Sequence, residues 1–454
     1  MATTDVPGGR PSAFAGNGQL KAGVARCVVT PPLGSPLVGF ADRGHATGCH
    51  DELTATALVL ESGNLRVAII ACDLLYIRGA AQLKQAISAA TDIPPERVLL
   101  TASHTHYGPA LEGEQESAAA LVPSDKRPLV AAYRQNLSLA LTGIVVAACE
   151  RLTDAAIGSA EGSAYIGINR REKLPDGSII LGNNADGPCD RRVLITRVDN
   201  ADGRPLAVLL NTACHAVSLG SECTEITADF PGVARELIER ETGATCLFLQ
   251  GAAGNINPTL MGWDWTYARR LGLSLGAEGA RLFWTAKPER PSSLAFAGET
   301  QLLPALMPAS LAEAQAQVAQ LQAELSGPGS EQSLGQTWTQ WRLTRALRAA
   351  DALAGSGALP PVRAELAAMR IGDQLAMITS PGEVFTELGQ AIVAQSPFAA
   401  TIFSGYTNEA IGYVPTPAAY PEGGYEVTHS CYVASEAAGL LADSSTRLLG
   451  ALVP

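Results

Sequence analysis

The chain has 454 residues and a formal net charge of −12, with 47% hydrophobic and 17% charged residues. That balance excludes a disordered polymer, and the acidic excess argues against nucleic acid as the main ligand. The nine scattered cysteines form no CxxC pair; with no signal peptide and no uninterrupted membrane-spanning stretch read in the chain, the expectation is free thiols in a soluble cytoplasmic protein.

Residues 1–20 read as a flexible Gly/Pro/Ser leader, and 21–454 as one domain. "VAIIACD" (67–73) is a buried strand, a helix is expected from about Arg78 to Ala90, and Arg97–Ser103 is a second apolar strand. Strand, helix and strand in that order make a βαβ unit, so the sheet is partly parallel. A helix over 126–152 comes next. "RRVLITRVDNADGRPLAVLLNTACHAV" then reads as a hairpin turning on Asn, Asp and Gly. Helix 231–242, strand 245–251, helix 263–286 and a hairpin over 363–383 complete the pattern. Residues 309–354, rich in Ala, Gln, Glu and Leu and broken by "GPGS", read as an inserted helical hairpin, taken as a packing appendage, with a substrate lid or dimer contact as the alternative. The fold class is therefore α/β: layered mixed sheets flanked by helices.

The residues that carry chemistry cluster just past strand ends, where ligand sites gather in α/β folds. They are Asp73, His104 and His106 in "TASHTHYGPAL", His215, the loop "QGAAGNINP", Glu383 and "GYTNEAIGY". His104 and His106 are one residue apart at the end of the Arg97–Ser103 strand, so its alternation puts both imidazoles on one face, as a metal site requires. HExxH and GxSxG are absent. Spacing alone does not bring these segments together.

Four blocks resemble the neutral/alkaline (non-lysosomal) ceramidase superfamily: "TASHTHYGPAL", "LNTACHAVSLG", "SPGEVFTELG" and "SGYTNEAIGYVPT", with weaker likeness at "GINRR" and "TADFPGVA". The resemblance implies a ceramidase-like catalytic domain with one zinc ion held by His104, His215, Glu383 and Tyr413. It makes His106 the acid/base histidine and Arg170 a contact to substrate or oxyanion. His50 has no firm assignment. The chain departs from the family at "GNINP", where Asn257 stands in the position of the family's serine and Asn255 in that of its aspartate.

The resulting expectation is zinc-dependent hydrolysis of an amide or ester by activated water. Arg170 and Asn257 act on the reacting group, and Asn255 and Tyr107 contact the substrate. The substrate is a small, lipid-like or sugar-like molecule. A carbohydrate-directed metalloenzyme (lactonase, deacetylase or lyase) and a non-catalytic scaffold stand as alternatives, and a homo-oligomer is compatible with each.

Overall fold

The computed structural model describes residues 12–40, 43–111, 122–326, 336–355 and 357–454. Two mixed sheets stack face to face. The larger has eight strands in the spatial order Thr245–Gln250, Pro205–Thr212, Arg192–Asn200, Thr153–Ser163, Lys21–Val28, Thr54–Ser62, Leu65–Cys72 and Val98–Ala102. The smaller runs Ser12–Asn17, Ser293–Leu303, Val362–Ile371, Leu375–Thr379 and Ala400–Ser404.

Strand alternation explains the layering. In "TATALVLES", Leu58 and Leu60 point to the core between the sheets, where they meet Phe296, Met369, Met377 and Ile402. Ala57 and Val59 point the other way, under the helices Ala80–Thr91 and Arg127–Glu150. Helices Asp229–Thr242 and Trp265–Thr285 cover the rest of that outer face, and Thr386–Ala394 with Ala437–Gly450 cover the smaller sheet. Strands buried on both faces read as continuous apolar runs, as Leu65–Cys72 and Val98–Ala102 do. Arg127–Glu150 is long and apolar enough to cross a membrane; here Val130, Tyr133, Leu137, Leu141, Ile144, Val145 and Ala148 are its buried residues.

The βαβ unit forms as expected, with Leu65–Cys72 and Val98–Ala102 parallel. The leader requires correction: Ser12–Asn17 is a strand paired antiparallel to Ser293–Gly298, with Phe14 opposite Phe296. Six residues of small and aromatic side chains are enough to extend the sheet; 1–11 lie outside the described residues. The hairpin segment forms helices Leu311–Ser326 and Gln336–Ala354, its connector lying outside the described residues.

Val98–Ala102 is the last strand of its sheet, and the segment 406–408 lies along its free side. Asn408 donates its N–H to the Leu100 carbonyl at 2.6 Å, and its side-chain oxygen accepts from the Leu100 N–H at 3.0 Å. The Ala102 N–H bonds the Tyr406 carbonyl at 3.2 Å. Tyr406 and Asn408 both adopt positive φ to make these contacts.

Candidate metal centre

The strand that precedes the paired histidines ends at Ala102, so alternation does not align them. The chain instead turns at His104, whose φ of 63° is left-handed. That conformation costs a non-glycine residue on the order of 1–2 kcal/mol. Two contacts hold it: the His104 N–H bonds the Leu74 carbonyl at 2.9 Å, and the ring Nδ1 lies 2.7 Å from the Leu75 carbonyl. His106 is fixed by its N–H to the Ala216 carbonyl and by Nδ1, 3.1 Å from the Gly39 carbonyl. Gly39 is required there, because a Cβ would lie 2.6 Å from the His106 ring. His215 follows the strand Pro205–Thr212, with Nδ1 2.7 Å from the Ala253 carbonyl.

A carbonyl partner places the proton on Nδ1, so each ring turns an Nε2 lone pair inward. The ligand atoms of His104, His106 and His215 all lie within 4.8 Å of one another. His104 and His106 Nε2 are 3.2 Å apart. Glu383 Oε2 lies 3.1 Å from His215 Nε2 and 3.4 Å from His104 Nε2. Burial, then the neighbouring imidazoles, push His106 well below the usual histidine range; burial, then Arg170 and His104, push His215 down to about 4. Burial pushes the Glu383 carboxyl upward, but His104 and His215 outweigh it and hold it well below the carboxylate range. Three lone pairs and a carboxylate thus face one another in a buried space. A cation resolves that conflict, and the N/O donor set suits a divalent metal.

A second group of side chains braces this centre. Arg170 sits on the strand Gly167–Lys173, beside Ile256–Pro258. Its guanidinium donates from Nε to Glu426 at 2.7 Å, from Nη1 to Asn257 Oδ1 at 3.2 Å and from Nη2 to the Tyr413 hydroxyl at 3.0 Å. Nη1 also lies 3.2 Å from His215 Nε2. Arg171 donates to the other Glu426 oxygen at 2.8 Å. Burial opposes the Arg170 charge, but Tyr413 and Glu426 more than restore it.

The structure therefore brings together His104, His106, His215, Glu383 and Arg170, with Asn257 and Tyr413 tied in through the guanidinium. Tyr413 lies directly opposite Glu383 in a short parallel ladder. Two expected substrate contacts need correction. Tyr107 is fully buried against Leu219, Cys223 and Ala268, and its hydroxyl accepts from the Leu219 N–H at 3.0 Å. The Asn255 amide is consumed internally: Oδ1 accepts from the Thr386 N–H at 2.9 Å and Nδ2 donates to Glu387 at 2.8 Å. It anchors the turn that carries Glu383 rather than facing a ligand. Asp73 accepts from Thr54 and Arg235 in the core, and exposed His50 stacks on Trp265 at 3.7 Å.

Sequence reasoning missed Glu426, which lies in the four-residue helix Tyr425–Thr428, too short to carry a periodic signal. It also missed Tyr406, whose ring packs 4.2 Å from that of His104 and whose buried hydroxyl has no hydrogen-bond partner among the described residues. His104 and Glu383 open onto a cleft of about 600 Å³, mouth included. One of its walls is Trp341, from the second helix of the hairpin, so that element is not merely a packing appendage.

No protein-family model matches the chain, and no curated protein matches it by sequence. Solved structures do match. Neutral ceramidase from Pseudomonas aeruginosa superposes with a TM-score of 0.70 at 17% identity, covering 96% of this chain and 75% of that one. A ceramidase complexed with C2 gives 0.73 at 19% identity, covering 96% and 76%. Over nearly its whole length, the chain has the fold of the neutral ceramidases.

Proposed function

We propose that the protein is a metal-dependent hydrolase that cleaves an amide or ester bond with water. The observation that carries this reading is the meeting of His104 Nε2, His215 Nε2 and the Glu383 carboxylate across 3.1–3.4 Å, on a ceramidase-like fold. We assign the metal to these three groups, with the Tyr413 oxygen beside them, and name zinc as the ion. Glu383 touches both His104 and His215, whereas His106 Nε2 makes its near contact with His104 Nε2 and is the least buried of the three imidazoles. Bound there, a divalent ion supplies Lewis acidity to a carbonyl oxygen and acidifies water.

The chain's own residues do the rest. His106 Nε2 accepts the proton that attacking water gives up, then returns it to the departing amine nitrogen or alcohol oxygen. The Gly39 carbonyl keeps that nitrogen aimed inward. Arg170, clamped by Glu426, positions the Tyr413 hydroxyl and Asn257. Asn257 offers an amide where the family has a serine, so it supplies no hydroxyl nucleophile and attack by water is the route.

The test is elemental analysis of the purified protein, joined to an amide and ester hydrolysis screen of the wild type, His104→Ala and His106→Ala. The reading expects about one zinc per chain, lost with activity in His104→Ala, and retained with lowered kcat in His106→Ala. Full turnover by His106→Ala, or turnover without metal, would overturn it.

A further inference from the structure

We infer that Trp341 is the end wall of a subsite beside His104 and Glu383, and that this subsite takes one compact, flat group: an aryl ring or an acyl chain of a few carbons. The cleft is walled by Tyr76, Trp341, Tyr406 and Tyr432 around those two residues. Aromatic walls offer large apolar faces that lose little freedom on binding.

The wall is braced rather than hinged. Trp341 is 3% exposed and meets the Tyr432 ring edge-on at 5.7 Å. The Arg345 guanidinium lies against both rings, 4.9 Å from Trp341 and 4.6 Å from Tyr432. Arg345 also donates to the carbonyls of His429 and Cys431, the latter a very short contact, which pins the helix to the segment that carries Tyr432. Cation–aromatic contacts of a desolvated guanidinium hold both planes in register. The hairpin thereby sets how long a group the subsite accepts. That the group is the acyl part rests on the hydrolase reading; that it is short and flat does not.

The test uses zinc-reconstituted wild type and Trp341→Ala. Hydrolysis of p-nitrophenyl esters from acetyl to dodecanoyl gives a length profile, and calorimetry with benzoate, butyrate and octanoate gives affinities without turnover. The wild type should favour two- to four-carbon esters and bind octanoate no more tightly than butyrate. Trp341→Ala should move the optimum to about eight carbons and bind octanoate at least tenfold more tightly than wild type, since each newly buried methylene is worth about fourfold. Identical profiles and affinities in the two proteins overturn the inference, as does a wild type that binds none of the carboxylates. If the affinities shift but neither protein hydrolyses any ester, the hydrolase reading falls and the subsite stands. If both hydrolyse esters with one length profile, the subsite falls and the reading stands. Should Trp341→Ala fail to fold, Trp341→Phe replaces it, with an expected lengthening of the optimum by about two carbons; no lengthening overturns the inference.

Discussion

Glu426→Gln isolates the brace behind the candidate metal centre. Glu426 is fully buried and accepts from Arg170 at 2.7 Å and Arg171 at 2.8 Å, both themselves buried. The substitution keeps the shape, removes the negative charge that two guanidiniums share and turns an NH2 group toward one of them. Breaking a buried pair by removing one partner costs about 3–5 kcal/mol. Arg171 keeps Glu422 at 3.2 Å, on a half-exposed side chain, which places the expected loss near the lower end, about 3 kcal/mol. Urea unfolding followed by far-ultraviolet circular dichroism measures it, with an unchanged m-value as the sign that only stability moved. Burial pushes Glu426 up, but Arg170 outweighs it and holds the carboxyl below its ordinary value. Its stabilisation is therefore complete above the unfolded glutamate pKa and is lost as pH falls through the folded one, so Glu426→Gln should also flatten the acid limb of the stability curve. A loss below about 1 kcal/mol would refute the argument that this pair is desolvated and uncompensated.

Three further outcomes are expected. His215→Ala and Glu383→Ala should each lower zinc affinity by more than the 10- to 100-fold typical of groups that only support a ligand, and chelation should lower the wild-type melting temperature in a way that added zinc reverses in proportion to its concentration; a melting curve indifferent to zinc counts against the site. Tyr406→Phe removes a buried hydroxyl that has no partner among the described residues, so the metal-free protein should gain on the order of 1 kcal/mol in urea unfolding; a loss would mean the hydroxyl is bonded. In metal-free protein, a histidine held at about 4 against 6.5 when unfolded contributes on the order of 3 kcal/mol that is present above pH 6.5 and lost as pH falls toward 4; His215→Gln should remove that slope.

Most of the layered frame was legible because its strands are apolar runs bounded by Gly, Asp and Asn turns. The candidate site was legible as residue types at strand ends and less so as geometry. "SHTHYG" carries nothing at position 104 that announces a left-handed turn, so strand alternation was the natural expectation. The turn exists only because Leu74 and Leu75 present carbonyls to it. Asn255 looked like a ligand-facing amide because its partners, Thr386 and Glu387, lie some 130 residues away. Tyr107 sits beside His106 in sequence but turns into the core. Glu426 pairs with Arg170 across 256 positions, a distance at which no periodicity operates. In each case the missing information was a long-range contact.

The segment 406–408 has a consequence beyond the cleft. A terminal strand with unpaired N–H and C=O groups is a template on which a second chain can polymerise. Here Asn408 and the Tyr406 carbonyl occupy those groups along Val98–Ala102, so the boundary of the larger sheet is sealed by the same few residues that place Tyr406 against His104. Drift in this turn is constrained twice, once by solubility and once by the shape of the pocket floor. Substitutions that displace this turn would therefore uncover that strand edge as well as shift Tyr406.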